Sequence, residues 1–156
     1  MKYITRSAKE TQKLAARLAR ASKGGEVIGL IGNLGGGKTT FVQGFGRALG
    51  ADQHINSPSF VLMNLYQLPA RRGRRAQLRW LVHFDAYRLS HDHQEALAGL
   101  AEYLHRPDCV VLIEWVDRLG KLAGCDTIIR FEVQEGDSRQ ITVNSRDDFD
   151  VQQLMS

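Results

Sequence analysis

The chain has 156 residues, of which 43% are hydrophobic and 24% charged, and its formal net charge is +4. This length and composition allow one buried core, so we expect a single domain over residues 1–156. No apolar run approaches the roughly 18 residues of a membrane span and no signal-peptide segment is evident, so the expected location is the cytoplasm, with no membrane contact. The spacing of Cys109 and Cys125 matches neither a zinc site nor a redox motif, and both are expected to be reduced thiols.

The first predicted element is a helix that begins after Ser7. Ser7 and Glu10 have the spacing of a capping box, in which the serine side chain caps the helix. Behind them an apolar stripe recurs at helical spacing and would face the core, and it consists of Leu14, Ala15, Leu18 and Ala19.

A glycine-rich segment, GNLGGGKT at Gly32–Thr39, follows an apolar strand at Val27–Ile31 and precedes a helix that ends at Gly50. Strand, loop and helix in this order are the context of a phosphate-binding loop, or P-loop. Its glycines let backbone amides converge on phosphate oxygens at the positive end of the helix. Lys38 would reach the outer phosphates and the Thr39 hydroxyl would bind Mg²⁺. The predicted nucleotide-binding residues are Asn33, Leu34, Gly35, Gly36, Gly37, Lys38, Thr39 and Thr40.

Two strands follow, at residues 60–68 and 80–85, and we predict that they form an antiparallel pair. The loop between them, residues 69–79, carries Arg71, Arg72, Arg74, Arg75 and Arg79. Without these five arginines, 16 basic residues remain against 17 acidic ones, so the positive charge is local to this loop. The loop is either a solubilising connection or, through its first four arginines, a contact for RNA or an acidic protein surface.

A helix predicted over Asp92–Arg106 leads to Cys109–Ile113, an apolar run typical of a central strand, which ends at Glu114. An acidic residue after such a strand is a Walker B-like pattern, and it lies where open α/β sheets bind their ligands. Glu114 would hold Mg²⁺ directly, hold it through water, or orient an attacking water, and the sequence leaves these alternatives open.

Three further polar residues have both a functional and a structural interpretation. Asp85 would support magnesium or position water, or else form a salt bridge at a strand end. Arg88 would offer its charge to phosphate or to a partner, or else take part in a salt bridge at the same strand end. Ser59 would sense the terminal phosphate, or else cap a turn after Pro58.

The last predicted elements are a hairpin, with strands around residues 129–133 and 141–143 and a turn at Gly136, and a short helix at Asp147–Met155. Together the elements predict an α/β fold of the P-loop NTPase type. It would have three layers, with a mixed sheet that combines a parallel core and antiparallel hairpins.

Four segments, taken in order, resemble the TsaE family, formerly called YjeE, of small bacterial P-loop ATPases in tRNA threonylcarbamoyladenosine formation. The segments are GNLGGGKTTF at 32–41, SPSF at 57–60, HFDAYRL at 83–89 and IEW at 113–115, and the resemblance covers roughly residues 5–145. It implies that the chain binds and hydrolyses ATP, with ADP as the product. It further implies that Lys38 and Thr39 serve phosphate and Mg²⁺, that Glu114 completes the metal site, and that Asp85 assists hydrolysis. The residues that the resemblance adds to the nucleotide site are Thr11, Ser59 and Trp115.

The resemblance also implies partners and a role. In this family the ATPase supports an assembly of TsaD and TsaB, which transfers a threonylcarbamoyl group to the adenosine beside the anticodon of tRNA. The ATP- and ADP-bound forms would act as a switch on that assembly, and contact with tRNA would be indirect. Three residues differ from the usual family pattern, namely Asn33 for aspartate, Gly36 for alanine and Ser59 for threonine, and the arginine-rich loop is longer than expected.

Two other functions fit parts of the sequence. A small-molecule kinase would share the P-loop, and residues 71–75 would then be interpreted as a lid, although they join two sheet strands and no acceptor site is evident. A nucleotide-dependent RNA-binding adaptor would depend on the arginine loop alone.

Overall fold

A computed structural model describes residues 1–58, 61–70, 72–73, 76–90, 94–119 and 124–145. The strands are β1 (Lys2–Thr5), β2 (Val27–Gly32), β3 (Met63–Gln67), β4 (Trp80–Asp85), β5 (Cys109–Glu114), β6 (Thr127–Val133) and β7 (Arg139–Ser145). The helices are α1 (Ala8–Ala21), α2 (Lys38–Ala48), α3 (Gln94–Ala101) and a short 3-10 helix, Val116–Leu119. Within these described ranges no helix has the length and apolar character needed to cross a membrane.

The strands form one sheet in the order β1-β7-β6-β2-β5-β4-β3. Strand β2 is parallel to β5 and β6, and β4 is parallel to β5. Antiparallel pairs lie at both edges. On one side β3 pairs with β4, and on the other side β7 pairs with both β6 and β1. The α/β fold with a parallel core and antiparallel hairpins is therefore confirmed. Because β2, β4 and β5 run in the same direction, their carboxyl ends meet at one edge of the sheet.

Two apolar clusters cover the two faces of the sheet and make it the middle of three layers. On one face α1 and α2 pack against the sheet, and Phe41 of α2 meets Phe131 of β6 edge to face at 5.7 Å between ring centroids. On the other face Leu100 of α3 and Val116 of the 3-10 helix join the second cluster. The alternation of side chains along each strand separates the two clusters, because successive residues point to opposite faces.

The predicted start of the first helix is confirmed, with one difference in its cap. The Ser7 side chain accepts a hydrogen bond from the Glu10 amide at 3.2 Å, as a capping residue does. The Glu10 carboxylate, however, accepts from the amide of Arg6 at 2.7 Å, one residue before the cap. The strand that precedes this helix, β1, was not predicted, since four residues with a half-exposed Ile4 carry no clear pattern.

Two predicted elements have different bounds. The strand expected at residues 60–68 begins only at Met63, because Leu62 has a left-handed backbone (φ 62°) and its amide bonds to the carbonyl of Pro58 in a turn. The helix expected to reach Arg106 ends at Ala101, and a left-handed His105 (φ 58°) lies in the turns that follow it. The predicted starts at Phe60 and Asp92 and the helix at 147–155 lie outside the described residues, and the single domain over residues 1–156 stays a prediction.

The close packing of α1 and α2 requires a glycine at position 44. A Cβ atom at Gly44 would lie 2.6 Å from Cα and 2.8 Å from the backbone oxygen of Gln12. Gly44→Ala should lower the free energy of unfolding by about 1–3 kcal/mol, because the cost of the steric overlap exceeds the stabilisation that comes from the higher helix propensity of alanine. The measurement is urea unfolding.

The chain offers a matched control in α3. A Cβ atom at Gly99 would meet only Met63 Cε at 3.6 Å, an ordinary contact. Gly99→Ala should therefore raise stability by up to about 1 kcal/mol. Equal effects of the two substitutions would contradict the proposed steric role of Gly44.

Candidate nucleotide-binding site

A cleft of about 550 Å³ lies where the P-loop meets the carboxyl ends of β4 and β5. The loop after β2 forms one wall, and residues at the ends of β4 and β5 form the other. Its lining residues are Leu34, Gly35, Gly36, Gly37, Lys38, Thr39, Thr40, Ser57, Asp85, Tyr87, Arg88, Glu114 and Trp115.

The P-loop conformation depends on glycine at two of these positions. Gly35 and Gly37 have φ angles of 73° and 102°, which residues with a side chain rarely adopt. The Gly36 amide closes a turn onto the Asn33 carbonyl at 3.0 Å. Among the described residues no side chain caps α2 at Gly37. The first amides of α2 therefore face the cleft with the positive end of the helix dipole, a suitable environment for phosphate.

Lys38 is buried at the base of the loop, with 4% of its surface exposed. Its ammonium group donates to the carbonyls of Gly32 at 2.6 Å and Asn33 at 2.9 Å, and it lies 4.0 Å from the centroid of the Trp115 ring. Burial lowers the pKa of Lys38, and the nearby carboxylates, first of all Glu114, oppose this shift. The lysine is thus a desolvated cation that interacts with the carboxylates of Glu114, Asp85 and Asp117.

Glu114 is the acidic centre of the site and is 3% exposed. The Thr39 hydroxyl donates to both of its carboxylate oxygens, at 2.9 Å and 3.1 Å. The Nε2 atom of His83 lies 2.8 Å from one of these oxygens. A hydroxyl and a carboxylate are hard oxygen ligands, so Thr39 and Glu114 fit a magnesium ion. Within the described residues no group of three or more His, Cys, Asp or Glu side chains could hold a metal by itself. Mg²⁺ would therefore need oxygens from the nucleotide or water as well.

Asp85, at the end of β4, is a second buried carboxylate beside Glu114, its register partner on β5. Ser57 donates its hydroxyl to one Asp85 oxygen at 2.6 Å, and the Tyr87 amide donates to the other at 2.9 Å. These two hydrogen bonds fix the orientation of the carboxylate. Among the described residues Asp85 forms no salt bridge, and its hydrogen-bond donors are neutral groups.

An aromatic wall closes the cleft beside Lys38. Trp115 has a left-handed backbone (φ 56°), and this sharp change of direction after β5 turns its ring over the lysine. The ring of Tyr87 lies 5.0 Å from that of Trp115. Arg118 donates to the Tyr87 carbonyl at 2.7 Å, and its guanidinium carbon lies 5.5 Å from the centroid of Trp115. Cation–π contacts with Lys38 and Arg118 hold the indole in place.

The structure places most of the predicted nucleotide-site residues on the cleft wall, with three exceptions. Asn33 contributes its backbone carbonyl to Lys38 rather than a lining side chain. Thr11 is buried, with its hydroxyl 2.9 Å from that of Thr5, and it does not line the cleft. Ser59 lies outside the described residues. Nucleotide contacts of all the predicted residues, on the cleft wall or away from it, remain predictions.

Sequence reasoning missed the roles of Ser57, His83 and Arg118. A signal for His83 was present, because it lies two residues before Asp85 in a strand and must share its face. Ser57 and Arg118 contact the site across turns, for which the sequence carried no comparable pattern.

Two other expectations concern regions outside the cleft. The arginine-rich loop does join two neighbouring sheet strands, β3 and β4, and Arg72 is exposed, while Arg71, Arg74 and Arg75 lie outside the described residues. Both cysteines are buried and neither forms a disulfide, as expected, and burial raises the pKa of Cys109 to about 12. That thiol is therefore protonated and unreactive near neutral pH.

Comparison with known proteins assigns the family. The model of the family described as "Threonylcarbamoyl adenosine biosynthesis protein TsaE" matches residues 5–142. The chain belongs to the TsaE family. The TsaE protein of Bacillus subtilis is 39% identical over 118 residues, which are 74% of this chain and 66% of that protein. The TsaE protein of Aquifex aeolicus is 32% identical over 143 residues, or 90% of this chain and 92% of that protein.

A solved structure agrees with this assignment. The crystal structure of Bacillus subtilis YdiB superposes with a TM-score of 0.77 and 29% sequence identity. The alignment covers 99% of this chain and 93% of that protein. The resemblance to the TsaE family that four short motifs predicted is therefore confirmed over nearly the whole chain.

The burial of Lys38 predicts a pH dependence of stability. Since its pKa in the folded protein lies below the ordinary value of 10.5, the folded state releases this proton at a lower pH than the unfolded chain does. The unfolding free energy of the wild type, compared with that of Lys38→Met, should therefore increase as the pH rises from neutral toward 10.5. Urea unfolding over this range measures the difference.

The control for this experiment is the same substitution at Lys13, an exposed lysine of α1. Comparison with Lys13→Met separates the loss of any lysine from the loss of the buried one. If the difference in unfolding free energy between wild type and Lys38→Met does not change with pH, the lowered pKa of Lys38 is contradicted.

Proposed function

We propose that this TsaE-family chain binds and hydrolyses ATP with Mg²⁺ in tRNA threonylcarbamoyladenosine biosynthesis. The observation that supports this most directly is the contact between Thr39 and Glu114, at 2.9 Å and 3.1 Å, beside Lys38 at the start of α2. It joins the two halves of a nucleotide–magnesium site, the P-loop threonine and the acid after a central strand. The preference for adenine is proposed from family membership, because the P-loop reads phosphates and not the base.

Each part of the site has a distinct task in this proposal. The amides of the loop and of the first turn of α2 bind the phosphates, and Lys38 adds a positive charge toward the outer ones. Thr39 and Glu114 hold Mg²⁺, which when bound neutralises charge on the phosphate oxygens. Burial strengthens these electrostatic interactions, because Lys38 and Glu114 lie in a region of low dielectric.

Asp85 positions the attacking water in this scheme. Its carboxylate is held by Ser57 and by the Tyr87 amide, and it lies next to Glu114 at the same sheet edge. A carboxylate with a fixed orientation can accept a hydrogen bond from water and so align it with the terminal phosphate. Trp115 covers Lys38 and excludes solvent from that side.

The nucleotide cycle is proposed to act as a switch on an assembly of TsaD and TsaB. Such a switch requires only that the ATP- and ADP-bound surfaces differ in affinity for the partner, so rapid hydrolysis by the isolated chain is unnecessary. The aromatic wall of Tyr87 and Trp115 lines the cleft, and the cationic Arg118 packs against that wall, so a partner bound there would be close to the phosphates. The proposed role for tRNA is indirect, through these partners.

Substitution of the two central residues should separate binding from hydrolysis. Lys38→Ala should lose ATP binding, because the loop loses its cation. Glu114→Ala should keep the Mg²⁺-independent binding of ATP through the loop amides and Lys38, but should lose Mg²⁺-dependent hydrolysis. Calorimetry measures binding, and phosphate release measures hydrolysis.

The exposed Glu102 provides the control for the loss of a glutamate, and Glu102→Ala should behave as wild type in both assays. Normal hydrolysis by Glu114→Ala would show that the acid after β5 is not part of the catalytic site. The proposal for ATP binding by the P-loop would then stand without the proposed role of Glu114 in hydrolysis.

The switch proposal predicts a response to partners. Hydrolysis by the isolated chain should be slow and should increase when TsaD and TsaB are added together. Affinity for the assembly, measured by surface plasmon resonance, should differ between ATP and ADP. Rapid hydrolysis that the partners do not change, with equal affinity in both nucleotides, would contradict a coupled switch while leaving ATP binding intact.

A further inference from the structure

His83 is a polar side chain in an apolar layer of the sheet. It lies on β4 with none of its surface exposed, and its register partner on β5 is Leu112. Leu81 precedes it by two residues on the same face, and both leucines belong to the cluster packed under α1 and α2. Burial of an imidazole in such a layer costs free energy unless a hydrogen bond compensates it.

The compensating contact is to Glu114. The Nε2 atom of His83 lies 2.8 Å from Glu114 Oε1, and the same carboxylate accepts the Thr39 hydroxyl. The carboxylate is itself 3% exposed, so its orientation depends on these two partners. Histidine and threonine therefore hold it from two different elements, β4 and α2.

The other ring nitrogen indicates that this contact is the reason for a histidine here. His83 Nδ1 is buried and has no hydrogen-bond partner among the described residues. A neutral imidazole carries one proton, and placing it on Nε2 gives the Glu114 carboxylate a donor. Nδ1 then has no proton, which avoids a buried N–H group without an acceptor. Every polar interaction of this side chain within the described residues thus goes to Glu114.

We infer that His83 is a positioning residue, which holds the Glu114 carboxylate in the orientation that binds Mg²⁺ together with Thr39. This inference rests on the proposed function, since it concerns the same magnesium site. It predicts that His83 affects the magnesium-dependent part of ATP affinity and leaves the part due to the P-loop unchanged. Loss of comparable partners of metal-binding residues reduces metal affinity or activity by about 10–100-fold.

Three substitutions test the inference. His83→Leu removes the donor and keeps an apolar side chain of similar size. His83→Gln can place an amide donor near the position of Nε2, whereas the shorter His83→Asn reaches only the position of Nδ1. Calorimetry measures ATP affinity with a magnesium chelator and with excess Mg²⁺. The gain in ATP affinity on adding Mg²⁺ should fall about 10–100-fold in the Leu and Asn variants and recover in the Gln variant. The ATP affinity measured with the chelator should be the same in all three variants as in the wild type.

A double substitution tests whether His83 acts through Glu114. In a Glu114→Gln background, His83→Leu should have no further effect on the gain from Mg²⁺, because the carboxylate to be positioned is gone. Thermal melting of each variant checks that it is folded. If His83→Leu does not fold, the Asn and Gln variants decide the question, because both carry an amide and differ in reach.

Two results would overturn the inference. One is a gain from Mg²⁺ in folded His83→Leu and His83→Asn equal to that of the wild type. The other is an equal loss of affinity with and without Mg²⁺, which would mark a general structural role. A wild-type chain whose ATP binding does not respond to Mg²⁺ would instead refute the proposed function, so the two failures are distinguishable.

Discussion

The Glu114 carboxylate is the constraint on which the arrangement of the site depends. A charged group with 3% of its surface exposed must be compensated by hydrogen bonds, because its desolvation costs several kcal/mol. Its partners, Thr39 and His83, come from α2 and β4, while Glu114 itself ends β5. The need to satisfy this one side chain therefore ties together three elements at the carboxyl edge of the sheet. If the P-loop moved far from β5, the Glu114 carboxylate would lose its hydrogen bond from Thr39 or become exposed to solvent.

The charges of the cleft are balanced for a ligand that brings both signs. Lys38 is buried beside the carboxylates of Glu114 and Asp85, and these acids oppose the lowering of its pKa by burial. Phosphates carry negative charge to the loop amides and the lysine, and a divalent cation carries positive charge to the acids. Neither ion alone would complement the cleft as well as the two together. The arrangement of charge therefore supports a magnesium–nucleotide complex as the ligand.

A strained backbone position also lies at this edge of the sheet. Trp115, directly after Glu114, adopts a left-handed conformation that costs a non-glycine residue of order 1–3 kcal/mol. The strained turn places the indole over Lys38, and contacts with Tyr87 and Arg118 retain it there. Strain of this kind persists only where surrounding contacts over-determine the geometry. In this protein those contacts lie at the mouth of the cleft.

The sequence by itself determined the class of fold and the parts of the site that are local in the chain. The P-loop has its strand before it and its helix after it, so the pattern from Val27 to Gly50 predicted both structure and chemistry. The sheet register decided the rest. His83 and Glu114 are 31 positions apart, and their contact exists only because β4 and β5 pair in parallel with one register. Ser57 and Asp85 are 28 positions apart, and the strands between them, β3 and β4, pair antiparallel and bring the chain back. A shift by one residue would turn these side chains to the opposite face, and no local pattern in the chain specifies that pairing. The ends of α3 and β3 were decided in the same way, by turns at His105 and Leu62 whose left-handed backbones the residue types did not predict.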